Sequence, residues 1–482
     1  RDPQPAGPRV NIVGLHLDDS AFAVARDGVP LGDAGPSIVH ADPADSARFG
    51  SSAIDTARRT PHRVSYGHWA AFGADTGADA SARAAFAVAC AELRRRVAPH
   101  VAPGDRLRIA VSATLDTGAL GWVLAACRQE SLPVEGFYDA AALAVAALGL
   151  EGEVIVPGVG LTQLSATRVV VADGEAWRRA SRATRETGLL ASQQRWSERV
   201  AEAMVLRARF DPLHEALSEQ RLYDLLPEAA ARAAREGSAT VELPTGSGSC
   251  AVTLSRDQFA AAARPLSRGL VALVEGLRTD DAPLTVLVCD AVLALPGVIE
   301  ALGAISGARL LAMDDVLVAR AVSLRASADD DGAGAPGHAT DDAPGAVTLH
   351  RGAPIGAPLA EARAVETTER QARPAPTHVL WRGEAIALTP GTTLEVGRAP
   401  AADGIRLDEG LAGVSRLHCA LRHGPEGVQL IDHAAYGTFL NGRRVAGRAR
   451  LAAGDRLRIG DPGIELALIA VGAGSAADIG PG

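Results

Sequence analysis

The sequence Ser415-Arg416-Leu417-His418 lies in the C-terminal part of the chain, between Val396-Gly397-Arg398 and the longer cluster Tyr436-Gly437-Thr438-Phe439-Leu440-Asn441-Gly442. Around these clusters, short β-rich segments such as Val379-Leu380-Trp381 and Gln429-Leu430-Ile431 are separated by Gly, Asn, Asp or Pro. Turn residues recur about every 8–12 residues, which is the spacing of an antiparallel β-sandwich. The pattern therefore predicts an all-β sandwich that carries polar clusters on its loops.

In order and spacing, the three clusters resemble the G-R, S-R-x-H and N-G-T-x-x-N-G signatures of forkhead-associated (FHA) domains. The resemblance covers residues 377–472 and implies a site that binds phosphothreonine. Arg398 and Ser415 correspond to the family's phosphate-contacting Arg and Ser, with Arg416 as a second donor. A guanidinium suits this role because its planar fork of donors matches phosphate oxygens. The implied partner is a phosphothreonine-containing protein, with a serine/threonine kinase as a second candidate.

The sequence departs from the family at the peptide-contacting position, since Ala435-Tyr436 stands where many members have Thr-Asn. We expect the phosphate pocket to be retained and the peptide selectivity to be changed, with Tyr436 able to contact the ligand through its hydroxyl. Two alternatives stay open: an FHA fold that has lost phosphate binding, and a structural subunit that packs against an unphosphorylated partner. The residues expected to shape the loops are Gly397, His418, Gly437, Thr438, Asn441 and Gly442.

The larger, N-terminal part of the chain alternates strand-like and helix-like runs, which predicts an α/β fold. Val10–Val24 predicts a strand, a tight turn and a second strand, and Arg108–Ala113 predicts a further strand. Together with Phe137–Ala144 and Asp314–Ala321, these segments resemble the actin-like superfamily, particularly DnaK-type heat-shock 70 kDa chaperones. The resemblance implies an actin-like domain of the nucleotide-binding type over residues 9–325.

The nucleotide motifs of that superfamily are altered at four places. His16 stands where the first phosphate loop needs Asp, and Asp18-Asp19 would meet a polyphosphate as like charges. The second loop, Pro157–Thr162, has lost its metal-organising acid, and the adenosine-side loop, Cys289–Pro296, has lost its glycines. The family's catalytic lysine is absent, because all 48 residues in the Lys+Arg count are arginine. We therefore expect no enzymatic activity and no ATP or magnesium cofactor; the alternative is a divergent chaperone-like ATPase.

Charge and composition narrow the remaining function classes. The acidic pair Asp18-Asp19 is interpreted as a solvated turn rather than a metal site, and no metal site is predicted elsewhere. The arginine-rich stretches Arg94–Arg96 and Trp177–Arg182 are interpreted as solvated helix faces. A net charge of −9 argues against nucleic acid as the main partner. No apolar run approaches the roughly 20 residues of a membrane span, so we expect a cytoplasmic protein without membrane insertion.

Residues 326–376 lack hydrophobic periodicity and are rich in Asp, Gly, Ala and Pro. Such a stretch buries too little apolar surface to offset the entropy of ordering, which predicts a disordered linker, and residues 473–482 are predicted to be a disordered tail. Within the linker, Thr367 and Thr368 are flanked by acids, like the E-T-T segments that kinases phosphorylate in some small bacterial FHA proteins. One hypothesis is that either threonine is phosphorylated and docks into the FHA site; the alternative is an unmodified linker.

Overall fold

The computed structural model divides the chain into two compact units, Arg1–Thr367 and Thr368–Gly482. Each unit is described below by itself. The structure describes residues 11–41, 47–71, 80–185, 187–246, 248–279, 284–324, 347–365, 376–408, 413–424, 427–434, 437–440, 443–445, 447–460 and 463–470.

The first unit combines strands and helices in alternation, as the sequence predicts. Its strands are β1 (Ile12–Leu17), β2 (Phe22–Arg26), β3 (Val29–Pro30), β4 (Val39–His40), β5 (Arg48–Phe49), β6 (Val64–Ser65), β7 (Arg106–Val111), β8 (Val134–Asp139), β9 (Glu153–Val159), β10 (Leu164–Ala172), β11 (Glu175–Thr184), β12 (Ser238–Thr245), β13 (Gly248–Ser255), β14 (Leu284–Cys289), β15 (Ala308–Met313), β16 (Leu349–His350), β17 (Gly352–Pro354) and β18 (Arg363–Ala364). Its helices are α1 (Ser51–Ile54), α2 (His68–Ala71), α3 (Ala80–Arg96), α4 (Thr117–Gln129), α5 (Ala140–Ala147), α6 (Leu189–Ala208), α7 (Ala216–Glu236), α8 (Arg256–Ala262), α9 (Arg264–Leu277), α10 (Asp290–Leu293), α11 (Val298–Gly303) and α12 (Leu317–Leu324).

The first sheet has the strand order β16-β8-β7-β1-β2-β3. Strand β1 is antiparallel to β2 and parallel to β7, and β7 is parallel to β8. Val13, Leu15 and Leu17 of β1 are fully buried and share one core with α3 and α4. Buried parallel strands of this kind need helices over their faces, and they contribute about 1.5–3 kcal/mol for each fully buried Val or Leu.

The second sheet has the order β17-β11-β10-β9-β14-β15-β18. Strand β9 is antiparallel to β10 and parallel to β14, β10 is antiparallel to β11, and β14 is parallel to β15. The series β11-β10-β9-β14-β15 thus repeats, in order and in direction, the series β3-β2-β1-β7-β8 of the first sheet. One strand topology occurs twice in this unit.

The structure corrects the interpretation of Trp177–Arg182 as a helix, because these residues lie in β11. The cause is the turn at Asp173-Gly174, where both residues have positive φ. Such a turn joins antiparallel strands and returns the chain along β10. Arg94–Arg96 do lie in a helix, at the end of α3.

Residues 347–365, here called the strap, are not the disordered linker that composition predicts. In the strap, β16 pairs with β8 of the first sheet, whereas β17 and β18 pair with β11 and β15 of the second. Its backbone also donates from Leu359 N to Ala147 O, over 2.8 Å. The linker prediction over residues 326–376 was therefore wrong for this part, because sheet edges elsewhere in the chain satisfy the strap's backbone.

We expect Gly352→Ala to destabilise the first unit. A Cβ at Gly352 would lie 2.9 Å from the ring of Trp177, whereas one at Gly356 would meet no described atom within 4 Å. Overpacking of this kind costs about 1–3 kcal/mol. Urea unfolding of the full chain, followed by tryptophan fluorescence, should show a lower midpoint for Gly352→Ala than for wild type. Gly356→Ala serves as the matched control, and equal midpoints for the two variants would contradict the packed strap.

The second unit is a β-sandwich, as predicted. Its strands are β19 (His378–Trp381), β20 (Glu384–Ala387), β21 (Thr393–Gly397), β22 (Ile405–Arg406), β23 (Cys419–Gly424), β24 (Gly427–Asp432), β25 (Thr438–Leu440), β26 (Arg443–Arg444), β27 (Arg448–Arg450), β28 (Arg456–Ile459) and β29 (Ile464–Ile469). They form sheets of order β20-β19-β29-β28-β25-β26 and β22-β21-β23-β24-β27. Fully buried residues of both sheets, such as Val396, Leu421 and Leu466, meet in one core. Among the described residues of the chain, no helix is long and apolar enough to cross a membrane.

Candidate functional site

The end of β21 and the loop before β23 are held together by backbone hydrogen bonds. Arg398 N donates to Ser415 O over 3.1 Å, and Ala399 N donates to Arg416 O over 2.8 Å. A Cβ on Gly397 would lie 2.3 Å from Arg416 O, so this approach requires glycine. The structure therefore brings Arg398, Ser415 and Arg416 side by side on two adjacent loops.

His418 stabilises this pair of loops from the buried side. It is fully buried; its Nδ1 accepts from Ser415 N at 3.1 Å, and its Nε2 faces Gly437 O at 3.3 Å. Because Nδ1 is an acceptor, the proton is assigned to Nε2, which donates to the carbonyl. Burial lowers the pKa of His418, against the opposing effects of the Gly437 carbonyl and Asp432. A neutral ring therefore links the Ser415 loop to the turn before β25.

Thr438 and Asp432 fix the neighbouring turn. Thr438 is fully buried, and its hydroxyl donates to Asp432 Oδ1 over 2.7 Å. The same carboxylate oxygen accepts from Ala434 N over 3.1 Å. Carboxylates that accept several hydrogen bonds organise turns in this way. Sequence reasoning missed Asp432, although an Asp at the end of a strand is the usual signal for such a turn.

The side chains of the loops differ in exposure. Arg398 is half-buried, and its Nε is buried without a hydrogen-bond partner. Ser415 is half-buried, while Arg416 is exposed. Leaving a buried charged donor unpaired is costly, so an anionic acceptor at Arg398 would remove that penalty. The site therefore offers positive charge and donors on a rigid sandwich, which suits a phosphate group.

Several residues that the sequence analysis singled out lie outside the described residues. In the FHA-like region these are Tyr436, Asn441 and Gly442, and before it they are Thr367 and Thr368. Among the described residues, no group of three or more His, Cys, Asp or Glu side chains could hold a metal ion.

A scan against protein-family models matches residues 394–460 to the FHA domain. The C-terminal unit contains an FHA domain. The prediction of an FHA domain in this part of the chain is thus confirmed, and Arg398, Ser415 and His418 lie inside the matched segment. A search of the curated proteins found no match. These comparisons give no support to the DnaK-type resemblance of residues 9–325, which is taken up below as a proposal.

The acidic pair of the first unit is not the solvated turn that the sequence predicts. Asp19 is only 5% exposed, and its Oδ2 accepts from Leu161 N over 3.1 Å. Asp18 is half-buried, and its Oδ1 accepts from Asp19 N over 2.6 Å. Burial raises the pKa of both carboxyls, and for Asp18 the neighbouring charge of Asp19 adds to the rise. The partner of Asp19 is 142 residues distant in sequence, which is why the pattern alone did not reveal it.

We expect His418→Ala to loosen the FHA loops. The substitution removes the acceptor of Ser415 N and the donor to Gly437 O, and losing a buried hydrogen bond costs about 1–3 kcal/mol where the group stays unpaired. Hydrogen–deuterium exchange of the full chain should become faster in peptides covering residues 413–419. His423→Ala is the matched control, since His423 lies in β23, the strand that begins directly after His418, is half-buried, and has its Nδ1 2.8 Å from Leu388 O. Unchanged exchange in His418→Ala would contradict the bracing role.

Proposed function

We propose that this protein is a phosphothreonine-binding adaptor, which recognises a phosphorylated partner protein through its FHA domain. FHA domains bind phosphothreonine-containing proteins, so the family match supports a phosphoprotein partner. The observation that carries the proposal is the unpartnered, buried Nε of Arg398 beside the Ser415 loop. Arg416 adds an exposed guanidinium at the rim, while Tyr436 is proposed to contact the peptide rather than the phosphate.

The first unit is proposed to be a non-hydrolysing domain of actin-like fold that acts as a scaffold in the cytoplasm. The repeated strand series of its two sheets supports a duplicated fold of this kind. The altered motifs at His16, Pro157–Thr162 and Cys289–Pro296 argue against nucleotide hydrolysis, as does the absence of lysine. The competing function is a divergent ATPase that its FHA domain directs to a substrate. Phosphorylation of Thr367 or Thr368 is still a prediction, as is a serine/threonine kinase as a second partner.

Arg398→Ala should abolish recognition of phosphothreonine. Charge-assisted hydrogen bonds to phosphate contribute about 1.5–3 kcal/mol each, so the affinity should fall by about 10- to 100-fold or more. Because the peptide preference is unknown, we would use a degenerate phosphothreonine peptide library and an identical unphosphorylated library. Binding to the full chain is measured by fluorescence anisotropy. Wild type should bind only the phosphorylated library.

Arg422→Ala is the matched control for this experiment. Arg422 is an exposed arginine of the same sheet, and it pairs with Thr393 at the far end of β21 from Arg398. Its removal changes the net charge equally and should leave binding intact. Equal binding of both libraries by wild type would favour the alternative of a structural subunit with phosphate-independent contacts. Equal losses in the two variants would show that only overall charge matters.

Calorimetry with magnesium and ATP tests the proposal for the first unit. We expect no heat of binding at ATP concentrations up to about 1 mM, a level that would reveal interactions stronger than about −4 kcal/mol. The sample's tryptophan fluorescence and urea midpoint, which report on the first unit through Trp69, Trp122, Trp177 and Trp196, are measured first to show that this unit is folded. Micromolar, magnesium-dependent binding of ATP would establish the ATPase alternative instead.

A further inference from the structure

The first unit contains a cavity of about 430 Å³ that residues of both sheets line. Its walls come from the ends of β1 and β9, from α6 and α7, and from the segment after β15. Ile38, Leu161, Leu189 and Val318 give these walls a mainly apolar surface. Concave apolar sites of a few hundred Å³ with a small number of polar groups are typical of small-molecule binding.

Two backbone donors beside the polar end of this cavity are already occupied. Leu161 N donates to Asp19 Oδ2, and Asp19 N donates to Asp18 Oδ1. Bare backbone N–H groups at a turn bind phosphate, but here the chain supplies its own carboxylates to them. An incoming phosphate would find these donors taken and would face Asp18, which lines the cavity. The cavity therefore disfavours an anion at this end.

In the part of the chain that the structure describes, two further carboxyl groups and one arginine line the cavity. Asp314 and Asp315 line it as well, and Asp315 Oδ1 accepts from the backbone N–H of Ala291 over 3.2 Å. Of the described lining residues, Arg58 is the one arginine. Its guanidinium lies 3.6 Å from the ring centroid of Tyr223 and 3.9 Å from Glu219, so its charge is already compensated.

His16 adds a polar group without a partner. It lines the cavity, and its Nδ1 is buried and makes no hydrogen bond. Burial lowers the pKa of His16 to about 4, so the ring is neutral at pH 7 and its Nδ1 can accept a hydrogen bond. A ligand that brings a positive charge with hydrogen-bond donors would complement both His16 and Asp18, because buried polar groups are stabilised by partners.

We infer that this cavity binds a small organic cation, namely a protonated amine on an apolar body. The ammonium group faces Asp18, and the apolar body fills the space between α6 and α7, where Leu189 and Tyr223 lie. This site is separate from the phosphothreonine site of the FHA domain. The ligand of the first unit would thus carry a positive charge, whereas a nucleotide carries negative charge.

A matched set of probes tests the inference on the full chain. Aryl-alkyl amines with two to six methylene groups are compared with the alcohols and carboxylates of the same carbon skeleton, by calorimetry and by the shift in melting temperature. The best amine should bind at least tenfold more tightly than its alcohol, and the carboxylate should not bind. This comparison uses wild type alone. Equal affinity of amine and alcohol would overturn the inference, as would the absence of amine binding at about 1 mM.

The variant Asp18→Asn tests whether the carboxylate of Asp18 binds the ammonium group. An ammonium group beside Asp18 favours its charged form, against the burial that raises its pKa. Asparagine cannot ionise but keeps the size of the side chain and an oxygen that can accept from Asp19 N, so the variant should fold without the charge. It should lose at least tenfold in amine affinity while alcohol binding and phosphothreonine binding stay unchanged. Asp173→Asn is the matched control, because Asp173 is exposed, lies in the turn before β11, and has a positive φ that Asn tolerates. Unchanged amine affinity in Asp18→Asn, or an equal loss in the control, would overturn the inference.

Discussion

The first unit depends on the contact between the Asp19 carboxylate and the backbone of Leu161. It ties the turn after β1, in the first sheet, to the turn after β9, in the second. Asp19 O also accepts from Ser37 N over 2.9 Å, so one residue fixes three segments. Burying a carboxyl is costly, and Leu161 N offsets part of that cost at Oδ2, whereas Oδ1 of Asp19 is buried without a hydrogen-bond partner. The same contact places carboxyl groups beside the cavity, where bare backbone donors would otherwise lie.

The FHA domain was predictable from sequence because its signature residues are contiguous. Arg398, Ser415 and His418 lie in short motifs whose spacing reflects loops on one sandwich, and the family match confirms the assignment. What the motifs did not reveal is how the loops are held. The proton on Nε2 of His418 and the double role of Asp432 follow from contacts between loops, and such contacts have no local signal in the sequence.

For the first unit, only the fold class was predictable from the sequence. The alternation of strands and helices was evident, but the arginines of β11 concealed a strand, because charge carries no information about backbone conformation. The strap was missed for a related reason. Its strands have two or three residues, too few for an alternating pattern, and they are stabilised by edges of sheets far away in sequence. The composition of such a segment predicts a linker, although its backbone is hydrogen-bonded to neighbouring strands.

The strap also determines how the first unit would respond to mechanical load. The chain leaves this unit through the short strand β18, in which Arg363 and Ala364 pair with β15 and after which Val365 N donates to Leu310 O. Tension that a bound partner applied to the FHA domain would reach this short strand first and would separate its hydrogen bonds one after another. Strand β17 and then β16 would follow only after the chain between them had been drawn out. The strands of the strap would therefore detach one at a time, and the central strands of each sheet would bear the force last.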